Sequence, residues 1–193
     1  MNKPRFAPQL FGSLALMLLL SAPSWVAAQD KKEDQKRDEI RTMARNTLER
    51  LYQTQPAAKG AIGKAAGYAV FSNFGMKILV AGGGKGQGVA VDKAGKEVFM
   101  KAVEVQAGLG MGIKKFRLIW VFETRAALDR FIQQGWELGG QAGYTAKASG
   151  KGGGVAGAAS VAPGVWLYQL TDDGLAAEIT VKGSRYYKDD DLN

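Results

Sequence analysis

The chain has 193 residues, a formal net charge of +8 at neutral pH, and neither cysteine nor histidine. These absences exclude disulfides, lipid attachment at a cysteine, serine–histidine and cysteine–histidine nucleophile pairs, and zinc held by imidazole or thiolate. The basic charge indicates either an acidic partner, such as phospholipid headgroups, or simply a soluble surface.

The first 28 residues have the pattern of a secretory leader. Lys3 and Arg5 form a basic start, residues 10–20 are apolar, and the small residues that end at Ala28 fit a cleavage site. The apolar run is short for crossing ~30 Å of hydrocarbon, which favours cleavage over an uncleaved anchor. We therefore expect a mature chain with a charge of +6 that is exported to the bacterial periplasm or the periphery of the cell envelope.

The mature chain is expected to begin with a charged arm and an amphipathic helix. Residues 29–38 carry charges of both signs and predict an arm that starts disordered and runs into the helix. From Ile40 to Tyr52 apolar residues recur at helical spacing, with arginines off that face. Such a helix can lie on a membrane or pack on its own domain, and the presence of Ala44 and Thr47 in its stripe favours packing.

The next segment predicts a second, shorter helix followed by a strand. Residues 56–66 are small and basic, include Lys59 and Lys64, and predict a short irregular helix. The β-rich segment from Tyr68 to Phe74 predicts a buried strand, which Gly75 is expected to close. The two lysines place positive charge on the surface of this helix.

Two segments carry glycine at every second position, one over residues 82–88 and one over residues 108–112. Neither has the spacing of a phosphate loop or of a dinucleotide fingerprint. Because alternate residues of a strand point to opposite faces, each segment predicts a strand that is bare on one face and admits a close neighbour. A valine at Gly110 is therefore expected to destabilise the fold. Lys85, Lys114 and Lys115 lie in or beside these segments and would converge if the two strands were neighbours.

The middle of the chain predicts the core of the domain. Residues 92–96, DKAGK, predict a hairpin turn with Gly95 at a positive φ. In the strand after it, residues 97–106, Glu104 shares a face with apolar residues. The following strand, KKFRLIWVFE, places four large apolar residues on one face: Phe116, Leu118, Trp120 and Phe122.

A third helix and several strands are predicted in the remaining chain. Thr124 is the predicted N-cap of this helix, and Gly135 is expected to end it. Residues 141–162 are rich in glycine and alanine and predict either a flexible loop or another glycine-faced strand. The last segment predicts, in order, a strand at 165–170, a turn at 172–174, a partner strand at 175–182, an exposed edge strand at 183–187 and a solvated acidic tail at 188–193.

Together these elements predict one α+β domain over residues 39–187. Its antiparallel sheet is expected to be strongly coiled, glycine-rich and barrel-like, with a few packed helices. An enzyme would have to rely on carboxylates. A lone charge at Glu104 in a β-rich strand would be costly, and an ion pair with a lysine is the simpler explanation for it. No nucleophile–base set is visible, so we expect no catalysis and no cofactor or metal. The carboxylates considered were Glu104, Glu123, Asp129 and Glu137.

The order of these segments resembles the SYLF domain, also called the Ysc84-type actin- and lipid-binding domain. The matching stretches are AGGGKGQGV, the alternating glycines of residues 108–112, and VFETRAALDRFIQQGWELG. The resemblance covers residues 48–182 and implies phosphoinositide or phospholipid binding, in some relatives actin binding, and no catalysis. Relatives engage membranes through an amphipathic segment at the start of the domain, which here corresponds to residues 40–52.

The resemblance and the basic charge predict a non-catalytic protein that binds anionic phospholipid or a membrane surface. A headgroup needs mobile positive charge near bare backbone N–H groups, although any one of these lysines can equally be a solvated surface residue. The alternative is a structural or protein-binding module of the envelope that uses the strand edge at 183–187. Nucleic acid is not an expected partner. The predicted lipid-binding residues are Lys59, Lys64, Lys85, Lys114 and Lys115.

Export and cleavage can be tested directly. N-terminal sequencing of the protein from the periplasmic or secreted fraction should give Gln29 as the first residue, because small residues precede it at the cleavage position. Recovery of the chain in the membrane pellet with Met1 still in place would contradict the prediction.

Overall fold

The structure is a computed structural model that describes residues 24–78, 81–107, 112–138, 144–147, 156–172, 174–176, 178–181 and 183–193. The predicted leader up to residue 23 lies outside these ranges. The helices are α1 (Ser24–Thr54), α2 (Ala57–Lys64) and α3 (Arg125–Gln134). The strands are β1 (Gly67–Ile78), β2 (Ala81–Asp92), β3 (Glu97–Ala107), β4 (Gly112–Phe122), β5 (Trp136–Leu138), β6 (Tyr144–Lys147), β7 (Ala159–Ala162), β8 (Val165–Thr171), β9 (Gly174–Leu175), β10 (Glu178–Val181) and β11 (Ser184–Lys188).

The strands form one large curled sheet and one small ribbon. The large sheet is antiparallel and runs in the order β5-β11-β3-β2-β1-β4-β8-β7, and the short β9 pairs with β8. The ribbon pairs β10 with β6. This arrangement confirms the predicted α+β class, a single domain with a half-barrel sheet and three helices.

One face of the sheet, called here the helix face, is covered by α1 and α2. Cross-strand register brings five apolar residues into one row on this face: Phe99, Val89, Val70, Ile119 and Tyr168. Buried residues of α1, including Ile40 and Leu51, and the α2 residues Ala58 and Ile62 pack into the same cluster. The apolar stripe of α1 therefore packs on its own domain, which was the favoured of the two predictions.

The opposite face, called here the aromatic face, is covered by α3. Trp120 lies with its ring centroid 5.1 Å from that of Phe131, and Phe71 lies 4.9 Å from Tyr186. The Thr124 side chain accepts a hydrogen bond of 3.2 Å from the Ala127 amide, which confirms the predicted N-cap. The predicted alternation of β4 is also confirmed, because all four of its large apolar residues are buried in this cluster.

The alternating glycines of β2 leave the aromatic face of that strand bare. Gly88 lies opposite Phe71 on one side and Met100 on the other. A Cβ atom at Gly88 would stand 2.6 Å from Phe71 Cδ1 and would also collide with the Val70 carbonyl oxygen. The ring of Phe71 thus packs directly on backbone, as the glycine pattern predicted. Residues 108–111, with the valine test at Gly110, lie outside the described residues.

The charged segment that was expected to start disordered is helical. Residues 30–38 lie within α1. Opposite charges at helical spacing stabilise this part of α1, since Arg37 lies 2.7 Å from Asp34 and Arg41 lies 2.9 Å from Asp38. The strand expected to close at Gly75 is also longer than predicted, because β1 continues to Ile78.

Three predictions for the C-terminal part of the chain are wrong. The predicted hairpin partner of β8 at 175–182 is not one strand. Only the two-residue β9 pairs with β8, and the next strand, β10, pairs with β6. The segment 183–187 is not an exposed edge, because β11 pairs with β3 on one side and β5 on the other. The acidic tail is not solvated throughout, because Asp189 and Leu192 are buried. Tyr186 explains the position of β11, since its ring belongs to the aromatic cluster.

Substitution of Gly88 should test the close approach of Phe71 to the β2 backbone. We expect Gly88→Ala to lower the free energy of unfolding by about 1–3 kcal/mol, because a methyl group overpacks this contact. Gly60→Ala is the matched control: nothing lies within 4 Å of a Cβ at that helical position. It should stabilise the protein by about 0.5–1 kcal/mol. Equal urea-denaturation midpoints for the two variants would show that the face at Gly88 is not closely packed.

Candidate functional site

A row of polar residues lies directly beside the apolar row on the helix face. On β3, β2, β1 and β4, a polar residue lies two positions along the strand from each apolar residue of the first row, and all four polar residues lie on the same side of that row. Register places Tyr187 of β11 next to this set, so the row crosses five strands. In sheet order the polar row is Tyr187, Lys101, Gln87, Ser72 and Arg117. The helix face therefore changes from apolar to polar within one step along the strands.

The next row on the same face contains two of the predicted lysines. Lys85 of β2 and Lys115 of β4 both lie opposite Phe74 of β1. With one strand between them, their Cα atoms are about 10 Å apart. Both side chains are exposed. At the far end of the row Arg185 lies opposite Val103, which is itself opposite Lys85. We call this set, Arg185, Lys85 and Lys115, the basic row.

A groove of about 520 Å³ lies between the polar row and α1. Its cationic lining residues come from three elements: Lys36 from α1, Lys85 from β2 and Lys101 from β3. Ser72, Gln87 and Tyr187 contribute neutral polar groups, and the buried Asp189 contributes a carboxylate. We call this the lysine groove. Hydroxyl and amide groups beside ammonium groups are suited to an oxyanion, because all of them can donate hydrogen bonds.

Lys101 forms ion pairs with two carboxylates of residues 189–193, called here the C-terminal segment. Its Nζ lies 2.8 Å from Asp189 Oδ1 and 2.7 Å from Asp191 Oδ2. The hydrogen bond to Asp189, followed by the one to Asp191, raises the pKa of Lys101 above its ordinary value. The two carboxylates differ in environment, since the Asp189 side chain is 1% exposed and that of Asp191 is 74% exposed. Asp189 is therefore a fixed partner and Asp191 an accessible one.

The C-terminal segment is held against β3 by hydrogen bonds at Phe99. This residue pairs with β2 on one side. On its other side it lies just beyond the end of β11, where the backbone of β3 would otherwise lack a neighbour. The Asn193 side chain accepts a bond of 3.0 Å from the Phe99 amide and donates one of 2.8 Å to its carbonyl oxygen. The Asp189 amide donates a further bond of 3.0 Å to the same oxygen. These bonds continue the ladder of the sheet and position Asp189 at the groove and Asp191 beside Lys101.

The five predicted lysines do not form one site. Lys59 and Lys64 are exposed on α2, which leads into β1 at Gly67, whereas Lys85 and Lys115 lie opposite Phe74. Seven residues of strand separate these two positions of β1, or roughly 23 Å. Of the second glycine-rich segment, only Gly112 at the start of β4 is described, and β1 lies between β4 and β2.

The fifth lysine, Lys114, directly precedes Lys115 in β4 and lies opposite Gly75. Its side chain is outside the described residues.

Sequence reasoning missed four basic residues of this surface: Lys36, Lys101, Arg117 and Arg185. Lys36 was assigned to a disordered arm, and Arg185 to an edge strand. Lys101 was not singled out, because nothing in β3 alone indicated that polar residues of four other strands lie beside it. The sequence did contain one signal for this surface. Lys101 and Arg117 interrupt the apolar pattern of two strands that are otherwise rich in β-forming residues.

The carboxylates considered for catalysis have other contacts. Glu123 accepts a hydrogen bond of 2.8 Å from Trp166 Nε1. Asp129 lies 2.9 Å from Arg125, and Glu137 lies 3.7 Å from Arg185. Glu104 is buried on the aromatic face, opposite Gly84 and Ser184. These four residues thus lie in separate environments.

Two further properties of the described residues concern membranes and metals. Among the described residues, no helix has both the length and the apolar character that crossing a membrane requires. Within the same part of the chain, the acidic residues form no group of three or more that could hold a metal ion.

Comparison with known proteins identifies the family. Residues 103–193 match the sequence model of the Ysc84 family, described as Las17-binding protein actin regulators. This match is to a family of actin- and lipid-binding domains, also called SYLF, as the sequence resemblance indicated. The matched region runs from β3 through α3 and β11 to the end of the C-terminal segment. The C-terminal segment thus lies within the region that matches the family.

A bacterial relative resembles most of the chain. Beta cell expansion factor A of Aeromonas veronii is 34% identical over 178 residues, which are 87% of this chain and 66% of that protein. The chain therefore spans slightly less than two thirds of the length of this relative. SYLF domains form a family of binding domains, and this relative is a bacterial protein.

The buried carboxylate beside Lys101 should be important for stability. We expect Asp189→Asn to lower the free energy of unfolding by about 1–3 kcal/mol, because it removes a buried partner of an ammonium group. Asp190→Asn is the control, since Asp190 is the exposed neighbour in the same segment. Its effect should stay within about 0.5 kcal/mol. Equal losses in thermal or urea denaturation would show that Asp189 does not hold the segment in place.

Proposed function

We propose that this protein binds anionic phospholipid or phosphoinositide-type headgroups through the basic row of the helix face. The observation that carries the proposal is that two exposed lysines, Lys85 and Lys115, lie on either side of a single position of β1. The family supports lipid binding in general. The absence of cysteine and histidine supports a binding role, because it removes the common nucleophile pairs.

The arrangement of charge supports a surface that meets several headgroups at once. Arg185, Lys85 and Lys115 occupy one row across the sheet, and Arg117 lies in the next row beside Lys115. Each basic residue near an anionic membrane contributes about 1 kcal/mol, and the contribution fades within a Debye length of about 8–10 Å. Ammonium groups respond to charge more than to headgroup stereochemistry. The proposal therefore concerns the anionic class and not one particular headgroup.

The α2 lysines form a second basic surface in this proposal. Lys59 and Lys64 are exposed while Ala58 and Ile62 of the same helix are buried, so both ammonium groups are free to reach a ligand. Lys114 remains a proposed contact; it precedes Lys115 in β4, and its side chain is outside the described residues. The two surfaces lie at different ends of β1, which allows each to be tested separately.

We place this activity at the bacterial envelope, on the periplasmic side. The support is the leader-like pattern of the first 28 residues. The alternative, a protein-binding module that adds a strand to an exposed edge, is less well supported. The ends of the large sheet are β5 and β7, which have three and four residues, and β11 is paired on both sides. Such short ends offer few backbone groups to an added strand.

Vesicle co-sedimentation tests the proposal. The purified protein should bind vesicles of phosphatidylcholine with phosphatidylglycerol at low salt, bind phosphatidylcholine alone weakly, and lose binding at high salt. Lys85→Glu combined with Lys115→Glu should reduce the affinity by roughly tenfold or more, because about 1 kcal/mol is lost at each position and repulsion is added.

The matched control is Lys93→Glu combined with Lys96→Glu, which changes the net charge by the same amount at two exposed lysines outside both proposed basic surfaces. Its effect should be smaller than that of the first pair. Equal losses would show that overall charge, and not the basic row, governs binding. Equal binding of the unaltered protein to neutral and anionic vesicles would contradict the proposed anionic specificity.

A further inference from the structure

We propose that the lysine groove binds a phosphate group and that Asp191 occupies part of this site, at Lys101, until the ligand displaces it. The lysine groove adjoins the basic row through their shared residue, Lys85. The proposal rests on the function above for a lipid source of the phosphate. It does not rest on that function for binding of the phosphate itself, which a soluble ester can also supply.

Three cations from different elements surround the groove. Lys36 approaches from α1, Lys85 from β2 and Lys101 from β3. Among the described residues, no carboxylate lies within ion-pair distance of Lys36 or Lys85, so their charges are available to a ligand. A phosphate ester carries a charge of about −1.5 to −2 near neutral pH and three acceptor oxygens, which matches several donors converging from different sides.

Neutral donors complete the groove floor. Ser72, Gln87 and Tyr187 are half-buried members of the polar row and line the same groove. A hydroxyl, an amide and a phenol can each donate one or more hydrogen bonds to phosphate oxygens. Lysines alone attract any anion, whereas neutral donors at fixed positions of a sheet favour a group with several acceptor oxygens. This combination favours phosphate over an isolated carboxylate.

Asp191 shows that the site accepts an anionic oxygen. Its Oδ2 lies 2.7 Å from Lys101 Nζ, while 74% of its side chain remains exposed. The hydrogen bond from Lys101 and the charge of Lys101 lower the pKa of Asp191, and the charge of Lys36 lowers it further. The carboxylate therefore stands within the influence of two groove lysines.

Displacement of Asp191 should leave the fold intact. An exposed ion pair contributes little stability, so an incoming phosphate can replace this carboxylate at small cost. Asp189 is buried, keeps its own contact with Lys101 at 2.8 Å, and holds the segment in place during the exchange. The C-terminal segment thus has one aspartate that anchors it and one that competes with the ligand.

Two substitutions that change the net charge equally separate this site from a general electrostatic effect. Asp191→Asn removes the competing carboxylate, and Asp190→Asn removes the charge of its exposed neighbour. With inositol trisphosphate as a soluble probe, measured by titration calorimetry at low ionic strength, we expect Asp191→Asn to tighten binding roughly two- to fivefold. Asp190→Asn should change the affinity less than twofold, and Lys36→Ala should weaken it while the denaturation midpoint stays unchanged.

The outcomes distinguish the groove from the proposed lipid surface. Equal tightening by the two aspartate variants, or no binding of inositol trisphosphate, overturns the groove. If vesicle binding persists and still depends on Lys85 and Lys115 in that case, the proposed function stands alone. If inositol trisphosphate binds with the expected variant pattern but anionic vesicles do not, the groove is supported and its phosphate comes from a soluble ester.

Discussion

The contact between the Phe71 ring and the backbone of β2 at Gly88 determines how the two faces of the sheet are used. A side chain at Gly88 would collide with this ring, so the glycine admits Phe71 to the aromatic face at close range. Phe71 then contacts Tyr186 and Phe131, which come from β11 and α3. Once α3 covers this face, the opposite apolar row remains for α1 and α2. Both faces of a sheet with apolar rows must be covered, because exposing either costs roughly 25 cal/mol per Å² of apolar surface.

The candidate site exists because α1 does not cover the whole helix face. Buried residues of α1, from Ile40 to Leu51, pack in the cluster that contains the apolar row, while the polar row and the basic row lie beside it. Lys36 belongs to the part of α1 that precedes these buried residues, and it forms one wall of the lysine groove. The same helix therefore packs the domain with one half and supplies a cation to the site with the other. A helix lying flat on a membrane would have needed its apolar stripe exposed, and here that stripe is buried.

The C-terminal segment links stability and binding. Asn193 and Asp189 extend the hydrogen bonding of β3 beyond the end of β11, and this places Asp189 and Asp191 at Lys101. In the free protein one lysine of the groove is therefore neutralised by the chain's own carboxylates. The family match reaches the last residue, which agrees with a segment that forms part of the domain and not an appendage. Competition between an exposed aspartate and a ligand would make binding weaker but more selective for strongly charged groups.

Local patterns in the sequence determined several elements and the family. The Thr124 cap, the Gly95 turn with φ of 84°, the alternation in β4 and the helical stripe from Ile40 each depend on residues a few positions apart, so periodicity and turn chemistry reveal them. Only the tertiary structure decided that β11 lies between β3 and β5, that the tail docks, and that Lys59 and Lys64 lie away from Lys85 and Lys115. The polar row joins one residue from each of five strands: Arg117, Ser72, Gln87, Lys101 and Tyr187. The register of strands far apart in sequence is set by packing on both faces of the sheet, which no local pattern contains.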